Sequence, residues 1–241
     1  MGKVFVVVSG KGGTGKSTFV SNMGALLAAR GKSVVLVDMD MGLRALDLYM
    51  GLESKVVYNV YDVISGLCRI KQALIKDKRF DKLYLMAASP QRDDGEITPL
   101  HMEVLCKRLA EKFDYVIIDS PAGIDDGFVL SAAGADKAII VTVPEYAAAR
   151  DAEMVEKLLD EMNITDRCYV INKVKPALLT SGMVPSISDI ASQLRMPLAG
   201  IIQYDDNIHI AANNGLPIVF KKDSYIYDNM EKIVERIIGE D

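Results

Sequence analysis

Short apolar runs alternate along this chain with longer segments of helical period. Residues 4–8 (VFVVV) form a continuous β-branched and aromatic run, the pattern of a strand buried on both faces. Further runs of strand length lie at 34–37, 83–87, 115–118, 138–143, 168–171 and 198–202. Apolar positions recur at helical spacing over 16–30, 99–112, 147–162, 187–195 and 208–213. Gly31 follows the first of these helices and is placed to cap it. Strands alternating with helices predict an α/β fold, a doubly wound and mostly parallel sheet with helices on both faces. The segment 44–82 has helical pieces but no long strand, and is expected as an insertion at the edge or top of the sheet. No linker, repeat or low-complexity tract interrupts the pattern, so the expectation is one domain over residues 1–241. Near the end, Ile226, Tyr227, Met230, Ile233, Val234, Ile237 and Ile238 share one helical stripe, which predicts packing on the sheet.

The first candidate chemistry lies between the first strand and the first helix. Gly10, Lys11, Gly12, Gly13, Thr14, Gly15, Lys16 and Ser17 fit GxxxxGK[ST], in the strand–loop–helix context that a phosphate loop requires. Glycines let the backbone fold around phosphate oxygens with its N–H groups inward, and the helix N-terminus adds its positive end. This predicts a P-loop NTPase binding ATP and Mg²⁺. Lys16 is expected at the β- and γ-phosphates, Ser17 on Mg²⁺, and Thr18 at the α-phosphate. Lys11 is not required by the general pattern. It is either a solvated loop charge or a second cation that stabilises charge developing in phosphoryl transfer.

Carboxylates end two of the predicted strands, at the edge where open α/β sheets place their sites. Asp38 and Asp40 lie two apart at the end of the strand; past the strand's end their side chains need not point the same way, and only one need meet the γ-phosphate. Either is also compatible with a turn role. Asp119 opens Asp-Ser-Pro-Ala-Gly after residues 115–118 and suits a Walker B carboxylate that holds Mg²⁺ through a water. Gly123 is placed to bring its N–H to the γ-phosphate. Asn172, followed by Lys173, stands after the 168–171 strand; base recognition by its amide and a simple turn are both open. Hydrolysis at such a site would be in-line attack of water on the γ-phosphorus, helped by positioning and charge.

Composition narrows the partners. A formal net charge of −5 disfavours a dedicated nucleic-acid binder. Cys68, Cys106 and Cys168 are far apart, with no CxxC, and are expected as free thiols; an iron–sulfur carrier would need closely placed cysteines. No apolar run approaches the roughly 20 residues of a membrane span. The N-terminus is neither signal peptide nor myristoylation motif, and the cytoplasm is the expected compartment. His101 and His209 sit in helical stretches and are expected at surface or packing positions.

KGGTGKST resembles the deviant Walker motif of the MinD/ParA family of ATPases, in which the Lys11 equivalent crosses a face-to-face dimer to the partner's nucleotide. The resemblance extends through Asp38-Met-Asp-Met-Gly-Leu-Arg-Ala-Leu-Asp47, with Ala45 where the MinD branch has Asn. It continues through Gln72-Ala-Leu-Ile-Lys-Asp-Lys-Arg79, Ala88-Ser89 with Arg92-Asp93, Asp119 to Gly123, and Pro144-Glu145 leading to Arg150-Asp151. It implies that Asp40 orients the attacking water, that Asp38 lies near the Mg²⁺ shell, and that Asn172 reads adenine. It also implies an ATP-dependent homodimer, an activating or effector protein partner, and slow hydrolysis that resets the dimer, in division-site selection or polar positioning. Arg150 and Asp151 are candidates for partner contact or an ordinary surface pair. Gln203-Tyr204-Asp205-Asp206 departs from the branch's Pro-Glu-Asp, leaving one wall of the base pocket undefined. From residue 223 to 241 there are six acidic and two basic residues, not the basic amphipathic tail with which the branch enters the bilayer. A membrane surface therefore stays open as a partner, with a removed tail or tail-free localisation as alternatives. A ParA-like partition or placement ATPase acting on DNA or a scaffold is the second reading.

Overall fold

Strand β1 (Lys3–Val8) sends Val4, Val6 and Val8 into one core and Phe5 and Val7 into another. That two-sided burial is why the run is apolar at every position rather than alternating. In this computed structural model, which describes residues 1–91 and 97–240, β1 lies inside a sheet with β2 (Val34–Asp38), β3 (Ile75–Lys76), β4 (Leu83–Met86), β5 (Tyr115–Asp119), β6 (Lys137–Thr142), β7 (Arg167–Val174) and β8 (Leu198–Gln203). The order is β3-β4-β2-β5-β1-β6-β7-β8. All pairings are parallel except β3 with β4, at the edge. The predicted doubly wound α/β sheet is therefore present, and the Arg92-Asp93 pair lies outside the described residues.

One face is covered by the helices Pro99–Ala110, Asp126–Ala132, Tyr146–Glu161 and Ile187–Gln193. The other is covered by Lys16–Ala29 and the C-terminal helix Tyr225–Ile238. Helix Lys16–Ala29 is buried from Phe19 to Ala28, and it packs so closely that a Cβ on Gly24 would stand 2.5 Å from Leu36 Cδ2. Its end is a Schellman turn: Gly31, at φ 81°, donates to Ala28 O and Lys32 donates to Leu27 O. The C-terminal helix buries Ile226, Met230, Ile233, Val234, Ile237 and Ile238. Each such side chain gains about 1.5–3 kcal/mol by leaving water, so this stripe belongs to the core, as its spacing predicts.

Segment 44–82 is an edge insertion of short helices (Leu46–Tyr49, Val60–Ile64, Ile70–Ala73) ending in the two-residue strand β3. Strand β7 runs past the predicted 168–171 to Val174, so Asn172 and Lys173 lie within it rather than after it. Lys173 takes φ 57° and the pairing with β8 shifts register there. This bulge hides the strand's true length from an alternation pattern. The helices Asp126–Ala132 and Pro176–Thr180, of seven and five residues, were too short for periodicity to reveal.

Candidate functional site

β1, β2, β5 and β7 bring Ser9, Asp38, Asp119 and Asn172 to one edge of the sheet. The loop from Gly10 to Gly15 crosses above them into helix Lys16–Ala29. Gly13 and Gly15 have φ of 78° and 96°, a region that disfavours side chains. A Cβ on Gly15 would lie 2.3 Å from Asn172 Nδ2. The loop base is equally tight, since a Cβ on Gly10 would stand 2.5 Å from Asp151 Cβ. Asp151 thus packs against the phosphate loop, while Arg150 beside it is exposed.

Lys16 is buried and donates from Nζ to Ser9 Oγ at 2.9 Å. Burial lowers its pKa, against the opposing pull of Asp119 and Asp40. Asp38 and Asp119 are register partners on β2 and β5, and both are fully enclosed. Burial raises the pKa of each carboxyl; neighbouring acids add to it, Asp40 and Asp47 at Asp38, and Asp38 and Asp40 at Asp119. Asp38 is compensated: its oxygens accept from the N–H groups of Asp40 (2.9 Å) and Leu46 (3.2 Å). Asp119 is not, because neither oxygen has a hydrogen-bond partner of full geometry, and the neighbouring Ser17 hydroxyl and Lys16 cation ease its charge only in part. Thr14 Oγ1 is likewise buried without a partner. Orphaned buried polar groups of this kind are expected where a ligand completes them.

Above these groups lies a cavity of about 600 Å³. Its phosphate end is formed by the loop with Lys16, Ser17, Thr18 and Asp40. Its far end is formed by Leu43 and Tyr49 on one side, and by Tyr204 and helix Asp206–Asn213 on the other. Asp40 faces this space while Asp38 is turned into the protein; an unbroken strand would put residues two apart on one face, but β2 ends at Asp38 and the chain has left the sheet by Asp40. The donor set fits a magnesium nucleotide: glycine amides and a buried lysine for phosphate, a serine hydroxyl and an unpartnered carboxylate for a hard cation.

Several predicted residues are engaged within the protein. Asn172 donates from Nδ2 to Thr14 O (2.8 Å) and accepts the Lys173 N–H on Oδ1 (2.8 Å); Lys173 Nζ reaches Gly13 O at 2.7 Å. The pair clamps the loop, with Asn172 at the cavity wall. Gly123, at φ 97°, donates its N–H to Ser9 O at 3.1 Å. Lys11 is ion-paired with Glu145 at the loop's rim. His101 caps its helix, its Nδ1 accepting from Thr98 N–H. His209 lines the cavity, as do Tyr49, Ile208 and Asn213, and no spacing rule in the sequence marks any of them. The base wall at 203–206 is tied down: Asp205 caps the following helix and accepts from Tyr225 Oη at 2.6 Å, and Lys175 lies over the Tyr204 ring.

A glycine-rich turn closing on a buried lysine, beneath a helix N-terminus and beside an uncompensated strand-end carboxylate, defines a P-loop nucleotide-binding protein. The CobQ/CobB/MinD/ParA nucleotide binding domain matches residues 5–218, and the chain belongs to that family, as a nucleotide-binding ATPase of MinD type. It is 44% identical to the septum site-determining protein MinD of Bacillus subtilis over the whole of this chain and 90% of that one. Against the MinD of Synechocystis it is 43% identical, covering 100% and 91%. Among solved structures, it is similar to a MinC:MinD cell division protein complex of Aquifex aeolicus (TM-score 0.91, 36% identity, 99% and 97% covered). It is also similar to the Pyrococcus horikoshii septum site-determining protein MinD complexed with Mg-ADP (TM-score 0.86, 26% identity, 98% and 96% covered).

Proposed function

We propose that this protein is an ATP-driven switch in division-site selection. In this reading ATP binding brings two copies together face to face, and hydrolysis separates them. The observation that carries it is the buried, uncompensated Asp119 facing Ser17 and Lys16 beneath the glycine loop. Full-length similarity to septum site-determining proteins supports the cellular role. Bound Mg-ATP supplies the phosphoryl group to be transferred and a cation that neutralises its charge.

The protein's part is binding, positioning and electrostatics. Amides of Gly10 to Gly15 and the helix N-terminus hold the phosphates, with Thr18 at the α-phosphate. Lys16 leaves Ser9 for the β- and γ-oxygens. Ser17 and Asp119 would hold Mg²⁺, with Asp40 beside them. Asp40 also orients the attacking water, while Asp38 fixes the Asp40 and Leu46 backbone that carries it. Gly123 reports the γ-phosphate only by giving up its bond to Ser9, and Lys11 reaches a partner copy only by giving up Glu145. Two ordered contacts must therefore break on activation, which suits a switch better than a constitutively fast enzyme. Asn172 borders the adenine. The helix Tyr146–Glu161, with exposed Arg150, is the candidate surface for a second protein; a similar Aquifex aeolicus chain is seen in a MinC:MinD cell division protein complex. The chain acts as one cytoplasmic domain, with a membrane surface as one partner that the liposome arms below test. Among the described residues no helix is long and apolar enough to cross a membrane.

Sedimentation with ATP, with ADP and without nucleotide tests the switch, each condition repeated with anionic liposomes and with duplex DNA. A dimer with ATP alone supports the reading, and a monomer that hydrolyses ATP at the normal rate refutes it. Retention on DNA that falls steeply with salt would instead favour the partition-type reading.

A further inference from the structure

The stretch Gln72 to Arg79 is the most distinctive in the sequence outside the phosphate loop, yet no residue of it lines the nucleotide cavity. Arg79 nevertheless ends inside the protein. Its Nε and Nη2 donate to the two oxygens of Asp77 at 3.1 and 2.6 Å, and Asp77 is wholly buried. The same guanidinium donates from Nη2 to Met50 O at 2.5 Å and from Nη1 to Gly215 O at 2.7 Å.

Those two carbonyls belong to the two sides of the cavity's far end. Met50 is the C-cap of helix Leu46–Tyr49, whose Tyr49 lines the cavity. Gly215 follows helix Asp206–Asn213, which lines it with Ile208, His209, Ala212 and Asn213. The two turns meet backbone to backbone. Gly51 and Gly215 have φ of 58° and 64°, and a Cβ on Gly215 would lie 2.7 Å from Gly51 Cα. Helix-end carbonyls lack partners within their own helices, so two inward-facing ends side by side need an outside donor. A planar guanidinium on a fixed carboxylate satisfies both at once; an ammonium lacks the fork geometry.

We infer that Arg79, held by Asp77, is a positioning residue that staples the Leu46–Tyr49 turn to the Asp206–Asn213 helix and so sets the width of the end of the cavity that receives the nucleoside. The inference rests on the reading of this cavity as a nucleotide site. The phosphate-cradling loop is built separately, by residues 10–18 between β1 and helix Lys16–Ala29, so the staple governs nucleoside contacts and leaves the loop's phosphate contacts alone. A residue that merely supported the fold would affect both ends together.

The test is titration calorimetry of Mg-ADP and of Mg-tripolyphosphate, which lacks the nucleoside, on the whole chain and on Arg79→Lys and Arg79→Ala. Nucleotide-free melting is measured in parallel. The expected result is a dissociation constant for Mg-ADP raised about tenfold or more in both variants, with tripolyphosphate affinity within about twofold of wild type. Arg79→Lys keeps a cation beside Asp77, and so is the informative variant if Arg79→Ala fails to fold. Equal losses for both ligands, or an unchanged Mg-ADP constant in a folded variant, overturns the inference. A wild-type chain that binds tripolyphosphate but not Mg-ADP overturns the nucleotide reading itself, a distinguishable failure.

Discussion

Replacing Asp119 by Asn should make the nucleotide-free protein more stable at neutral pH while weakening its hold on magnesium nucleotide. The Asp119 carboxylate is 1% exposed, and neither oxygen accepts a hydrogen bond of full geometry. Burial raises its folded pKa, Asp38 and Asp40 add to that, and Ser17 and Lys16 offset part of it. An unfolded aspartate titrates near about 3.9. Above that pH the folded chain therefore holds a proton that the unfolded chain has lost, and stability falls as pH rises until the folded group also ionises. Asn, nearly isosteric and always neutral, does not show this loss. The folded carboxyl is pushed up to about 8, and at about 1.4 kcal/mol per pKa unit the gain is up to about 5 kcal/mol at pH 8. The gain should shrink to near zero below about pH 3, where the wild-type group is protonated in both states. Urea unfolding at a series of pH values, without nucleotide or metal, measures this directly. Saturating Mg-ADP should reverse the order, since a ligand that binds only the folded state stabilises it in proportion to its affinity. A variant less stable than wild type at pH 8, or a difference independent of pH, would show that the Asp119 carboxylate is already satisfied and refute its assignment to the metal.

Four further outcomes are expected. Lys16→Ala should abolish nucleotide binding by calorimetry, because the buried cation beside Ser9 is the loop's own charge for phosphate; binding within a few fold of wild type would be inconsistent with its role. Asp40→Ala should keep binding, lose turnover and accumulate the ATP-bound dimer in a phosphate-release and sedimentation assay; unchanged turnover would move the water-positioning role elsewhere. Gly15→Ala must adopt φ near 96° and displace Asn172 from Thr14, so it should cost about 2–3 kcal/mol in denaturant unfolding. Burial pushes the Cys106 and Cys168 thiols up to about 12, leaving about one in ten thousand ionised at pH 8, so native-state alkylation read by mass spectrometry should modify Cys68 alone.

The hydrophobic pattern alone determined the architecture, because strands buried on both faces and helices of 3.6-residue period leave different traces in a linear chain. It also determined the phosphate loop, since GKGGTGKS is contiguous and its glycines are needed locally by the turn at Gly13 and Gly15. Asp38 and Asp119 were legible as strand-end acids, but only the folded sheet buries both, which raises both pKa values, and pairs β2 with β5 so that Asp38 raises that of Asp119 further. Asn172 was legible as a site residue but not as a clamp, because the bulge that turns Lys173 back over Gly13 is visible only in the sheet. The far wall of the cavity, with Tyr49 and His209, and the staple at Arg79 could not be read at all. Their members are far apart in the chain, Arg79 and Gly215 by 136 residues, and spacing rules report only neighbours along one element. Lys11 stands between these cases: its sequence marks it as a loop cation, and only the folded chain shows that cation held by Glu145.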